Sequence, residues 1–181
     1  PNNNHPLIED KHIQYMRRAI VLARKAFGRT SPNPMVGAVV VKGGKVVGGG
    51  YHSRAGQSHA EIEALSRAGR YARSADLYVT LEPCCYFGRT PPCTEAIIEA
   101  GIKRVFVGMK DPNKQVSGKG LRSLKKHGIV IVSDVLKEEC VKLNKPFIKM
   151  MKTGIPFVTL KTAMSLDGKI ATRTGDSRWI T

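Results

Sequence analysis

The chain has 181 residues, 41% of them hydrophobic, which suits one domain with its own core and a fragment of a second. No apolar run approaches the ~20 residues of a membrane-spanning helix, and no charged-then-apolar leader opens the sequence. The formal net charge of +16 calls for an anionic partner or a basic solvated surface, and by itself separates neither nucleic acid from a phosphorylated small molecule.

The opening "PNNNHP" is polar, and residues 1–8 are expected to be disordered. Residues 9–27 place Ile13, Met16, Ile20 and then Ala23 or Phe27 at helical spacing, and Gly28 stops the helix before the loop "TSPNP". "MVGAVVV" and "KVVGGGYH" flank "KGG", the pattern of a hairpin with a glycine-rich turn. "SHAEIEALSRAGR" reads as a helix capped by Ser58, with Glu61 at capping-box spacing. "DLYVTLEP" is a buried strand, "TPPCTEAIIEAG" a helix opened by prolines, and "IKRVFVG" another strand. "GKGLRSLKKHG" predicts a helix running into strand "IVIVS", and "VLKEECVKLNKPFIKMM" one last helix. Between Lys103 and Lys126 stand eight Lys/Arg against one acid, Asp111. Beyond that, "GIP" breaks the chain, "FVTLK" reads as a strand, and the remainder is rich in Gly, Ser, Thr and Asp. One hairpin followed by alternating strands and helices predicts an α/β fold, a mixed sheet covered by helices on both faces.

Four cysteines without a secretory signal argue for a reducing, cytoplasmic setting, where clustered thiols serve metals or catalysis more often than disulfides. "TLEPCCYFGRTPPC" sets Cys84 directly after a strand and Cys93 in the first turn of the next helix. His59 opens an earlier helix, so all three lie at strand-to-helix junctions, where α/β folds build sites. Helix N-termini favour the thiolate that a metal needs. One His and two Cys suit zinc, and three protein ligands leave a position open for water, the mark of a catalytic site. Glu61 lies two residues past His59, close enough to move a proton without being a ligand. H-x-E followed by P-C-x-x-C is the arrangement of zinc nucleobase deaminases. Here "HAE" and "PC" match, but the second cysteine arrives after eight residues. Cys85 should face away from Cys84 and pack, and Cys140 reads as core. His5, His12 and His127 read as solvated.

The set "SPNPMVGAVVV", "GYHSRAGQSHAE", "YVTLEPCCYFGRTPPC", "DPNKQVSGKG" and "SLDGKIATRTGDSRWIT" resembles the bifunctional riboflavin-biosynthesis deaminase/reductase family of bacteria, over nearly the whole chain after about residue 10. The resemblance implies a three-layer, cytidine-deaminase-like domain over residues 1–152. It implies hydrolysis of 2,5-diamino-6-(5-phosphoribosylamino)pyrimidin-4(3H)-one to the corresponding uracil and ammonia. Residues 153–181 would be the first strand and loop of a dihydrofolate-reductase-like domain that uses NADPH, cut short here. His59, Cys84 and Cys93 fall on the zinc ligands and Glu61 on the proton shuttle. Asn33, His52, Arg89, Asp111 and Asn113 fall at or near expected substrate contacts. In the second unit Ser177 falls on a substrate position, and Ala163 and Trp179 on NADPH-contacting ones. Tyr86 departs from the His that many relatives carry there.

The expected partner is therefore a phosphorylated small molecule held at a basic rim of Arg89, Lys114 and Lys119, with no nucleic acid and no membrane. Homo-oligomerisation stays open. A tRNA-type base deaminase is the alternative that the charge favours, though the cysteine spacing does not match it. A structural zinc module would need a fourth ligand, and only the adjacent Cys85 is near.

Overall fold

A computed structural model describes residues 9–87, 91–114 and 116–178. The first helix, α1 (Asp10–Arg24), buries Met16, Ala19, Ile20 and Ala23, the apolar stripe seen in the sequence. Strands β1 (Gly37–Lys42) and β2 (Lys45–Tyr51) form the expected antiparallel hairpin. Then come α2 (Ala60–Ala68), β3 (Asp76–Leu81), α3 (Cys93–Glu99), β4 (Arg104–Met109), α4 (Lys119–Lys126) and β5 (Val130–Val132). Helices α5 (Lys137–Leu143) and α6 (Lys145–Thr153) follow.

The sheet order is β2-β1-β3-β4-β5, antiparallel as far as β3 and parallel from β3 to β5. The mixed sheet is as expected. Small residues let the helices lie close on both faces. A Cβ on Gly37 would stand 2.0 Å from the Ala19 carbonyl of α1, and one on Gly48 would stand 2.2 Å from the Ala64 carbonyl of α2. Gly49, between Gly48 and Gly50, faces Leu22 of α1 instead, so α1 and α2 cover opposite faces. Gly108 lies against Cys140 of α5, which joins α1 on its face, while α3 and α4 extend the layer begun by α2. Leu77, Val79, Val105 and Val107 are fully buried between these layers.

Several expectations fail for identifiable reasons. His12 is not solvated: it is 7% exposed, stacks on Phe106 with centroids 4.3 Å apart, and its Nδ1 pairs with the Tyr78 hydroxyl at 2.7 Å. Ser58 does not cap α2; the cap position is His59, without a side-chain bond, because Glu61 turns inward. The last helix is two, broken at Asn144 (2% exposed), whose side chain holds the Met35 backbone. "FVTLK" forms no strand. A strand exists only with a partner edge, and no described segment pairs with residues 157–161, which stay exposed. His5 lies outside the described residues, His127 is exposed as expected, and Cys140 is core. Among the described residues no helix is long and apolar enough to cross a membrane.

Candidate metal centre and its cavity

The carboxyl ends of β3 and β4 set the site. Strand β3 passes through Leu81 and Glu82 into the Pro83–Cys84 turn, and α3 begins at Cys93. The backbone N–H of Thr94 donates to the Cys84 carbonyl (3.1 Å) and that of Cys93 to the Cys84 Sγ (3.3 Å), so the two cysteines are fixed to each other. His59 arrives from the start of α2, its Nδ1 3.1 Å from Cys93 Sγ and 3.6 Å from Cys84 Sγ.

The three donor atoms lie within 4.8 Å of one another. Donors sharing a zinc ion at ~2.0–2.3 Å stand roughly 3–4.5 Å apart, so one nitrogen and two sulfurs here fit the ion. Electrostatics agree. The hydrogen bond from Cys93 pushes the Cys84 thiol down to about 4, despite burial, with further help from His59. That same bond, with burial, pushes Cys93 up, so the pair shares one proton that a cation would displace. Cys85 is half-buried and stays outside the cluster, and burial pushes its thiol up.

Glu61 is 4% exposed, and burial, then the Cys84 charge, raises it to about 7. It opens onto a cavity of about 300 Å³ shared with His59 and Cys84. Asn33 and His52 line the same cavity and are bonded to each other, Nδ2 to Nε2, at 3.0 Å. The His52 Nδ1 faces the Ser58 carbonyl at 3.1 Å, so Nδ1 carries the proton and Nε2 accepts from Asn33. Burial lowers the His52 pKa, which keeps that neutral ring. The Asn33 Oδ1 is thereby left for the cavity. Asp111 and Asn113 also line it, and burial raises Asp111 to about 6.

Sequence reasoning missed Phe147 and Met151, which α6 brings to the cavity wall at i, i+4 spacing, and Glu82 beneath it. It also expected a basic rim. The described lining contains no Lys or Arg, Lys114 and Lys119 lie off it, and Arg89 is outside the described residues. Tyr86 is on the lining. Ala163 and Ser177 lie away from it, and Trp179 is outside the described residues.

The chain matches the cytidine and deoxycytidylate deaminase zinc-binding region over residues 9–109, and the RibD C-terminal domain over residues 156–181. It is 55% identical over 167 residues to the riboflavin biosynthesis protein RibD of Bacillus amyloliquefaciens, covering 92% of this chain and 45% of that protein. It superposes with a TM-score of 0.89 and 50% identity on a diaminohydroxyphosphoribosylaminopyrimidine deaminase/5-amino-6-(5-phosphoribosylamino)uracil reductase from Thermotoga maritima, covering 95% of this chain and 50% of that one. An Aspergillus oryzae Rib2 deaminase in complex with DARIPP aligns at 26% identity and a TM-score of 0.63, covering 78% of this chain and 94% of that one. The chain spans about half the length of the curated bacterial relatives it matches.

Proposed function

The chain belongs to the family of cytidine and deoxycytidylate deaminases with this zinc-binding region, and from that premise we propose that it hydrolyses the ring amino group of 2,5-diamino-6-(5-phosphoribosylamino)pyrimidin-4(3H)-one. The products are the phosphoribosylaminouracil and ammonia, a step of riboflavin biosynthesis. The observation that carries this reading is a His/Cys/Cys donor set opening, together with the buried carboxylate Glu61, onto a ring-sized cavity.

His59, Cys84 and Cys93 would hold zinc, which supplies the Lewis acidity that makes water nucleophilic near neutral pH. Glu61 takes one proton of the water and gives it to a ring nitrogen as the hydroxyl adds to carbon. It then takes the proton of that hydroxyl and passes it to the amino group, so that the C–N bond breaks, ammonia leaves and the oxygen stays on carbon as the carbonyl. Asn33 presents its carboxamide oxygen to the ring's N–H edge, oriented by neutral His52. Phe147 and Met151 cover the ring's apolar face and exclude water. Asp111 and Asn113 meet the ribose side. The phosphate contact is assigned to Arg89, three positions after the lining residue Tyr86, since the described lining offers no cation. Among the described residues the +16 charge does not converge on this cavity, so the charge gives no particular support to a nucleic-acid substrate. Residues 153–181 are proposed as the start of a reductase unit, with Ala163 and Trp179 toward NADPH and Ser177 toward its substrate.

Ammonia release from a substrate panel tests the assignment. The phosphoribosyl pyrimidine should react, its dephosphorylated form should lose roughly 10- to 100-fold in kcat/KM, and cytidine should be inert. Cytidine or a tRNA base reacting as fast as the phosphoribosyl pyrimidine would overturn it.

A further inference from the structure

We propose that Glu82 is a positioning residue, one that fixes the substrate-facing loop beginning at Asp111 against the segment carrying Cys84; the inference rests on the function proposed above. Glu82 extends β3 by one residue, its N–H donating to the Met109 carbonyl at 2.9 Å, and it is 3% exposed. No Lys, Arg or His forms an ion pair with it among the described residues. Its carboxylate is instead saturated by backbone. Oε2 accepts from Gly118 N (2.9 Å) and Asp111 N (3.3 Å), and Oε1 from Gly120 N (3.0 Å) and Leu121 N (3.4 Å).

A buried carboxylate without a cation is costly, and four converging N–H donors are what makes it tolerable. Those donors come from two places, the first residue of the loop and the start of α4. One side chain therefore sets the distance between them. The loop's own bond, Asn113 N to Asp111 Oδ1 at 2.8 Å, then aims Asp111 and Asn113 into the cavity that Glu82 also borders. The contact continues to the metal ligands. A Cβ on Gly120 would stand 2.2 Å from the Pro83 carbonyl, so α4 presses directly on the residue before Cys84. Glu82 also occupies the N–H groups of Gly118, Gly120 and Leu121 that begin α4, so a substrate phosphate is not bound there.

Glu82→Gln keeps the shape but turns an N–H₂ toward two backbone donors. Expected is a rise of about tenfold or more in KM for the phosphoribosyl pyrimidine, with kcat within about threefold and zinc still stoichiometric. In an Asp111→Asn background the same change should add little, because both act through one loop. Independently of turnover, hydrogen exchange should quicken at the amides of Asp111, Asn113, Lys114 and Gly118 and stay unchanged in β3 and β4. Multiplicative effects, a loss confined to kcat, or unchanged exchange in the loop would each overturn the proposal. If Glu82→Gln does not fold, Glu82→Asp, which keeps the charge but withdraws it by one methylene, is read by the same KM and exchange measurements. A wild-type chain that leaves the substrate unreacted contradicts the proposed function, while the exchange result still decides the role of Glu82.

Discussion

Asn144 sits at the break between α5 and α6, and its carboxamide makes a two-way contact with the backbone of one residue, Met35. Oδ1 accepts from Met35 N at 2.8 Å, and Nδ2 donates to the Met35 carbonyl at 2.9 Å. Asn144→Ala removes both bonds, each worth about 1 kcal/mol net, and leaves a poorly solvated N–H and C=O that add up to ~1–3 kcal/mol apiece when water cannot reach them. Met35 is half-buried, so the lower part of that range applies, and the sum is about 2–4 kcal/mol. For a chain of this size each kcal/mol moves Tm by roughly 2–4 °C, which gives a fall of roughly 5–15 °C. Asn144→Asp is the sharper perturbation. It is nearly isosteric and keeps the acceptor for Met35 N, but sets a carboxylate oxygen against the Met35 carbonyl. It should be at least as destabilising as the alanine. Differential scanning calorimetry of the zinc-loaded proteins measures both. An aspartate variant that melts with the wild type would refute the assignment of donor and acceptor, and with it the account of why the helix breaks here.

Cys93→Ser should lose zinc whereas Cys85→Ser should keep about one ion per chain; full occupancy in Cys93→Ser would remove Cys93 from the ligand set. Acidification should destabilise through His12. Burial, then the Arg104 and Lys11 charges, hold its folded pKa below the ordinary value, so below ~6.5 the unfolded chain binds more protons and stability declines as pH falls toward the folded pKa. Asp111, raised to about 6, acts in the opposite sense, so the diagnostic is the comparison with His12→Phe. That variant should show a smaller drop in Tm between about pH 7.5 and 5.5, and equal drops would contradict the burial argument.

Much of the site is local in sequence and was legible there. His59, Cys84 and Cys93 each follow from a strand or loop meeting a helix start, and the sheet order only had to bring those ends together. What was not legible depends on contacts distant along the chain. His12 looks solvated because its neighbours are charged, yet it stacks on Phe106, 94 positions away. Asn144 looks like an ordinary helix residue until Met35 lies opposite, 109 positions away. Phe147 and Met151 lie in the predicted last helix, and nothing local in the sequence shows that they wall the cavity. Ser58 and Glu61 match a capping box by spacing alone, but burial of Glu61 beside the thiols overrides the local bond. Charge misled most: the segment from Lys103 to Lys126 supplies Asp111 and Asn113 to the cavity, but none of its Lys or Arg residues is on the described lining.

Ammonia release by zinc-loaded Glu61→Gln, assayed on the phosphoribosyl pyrimidine beside the wild type, decides whether Glu61 carries the proton. The wild type should turn over, and the variant should hold its zinc and fold while losing at least ~100-fold in kcat. A variant that retains zinc and stays within a few-fold of wild-type turnover would show that Glu61 is not the proton carrier of this centre.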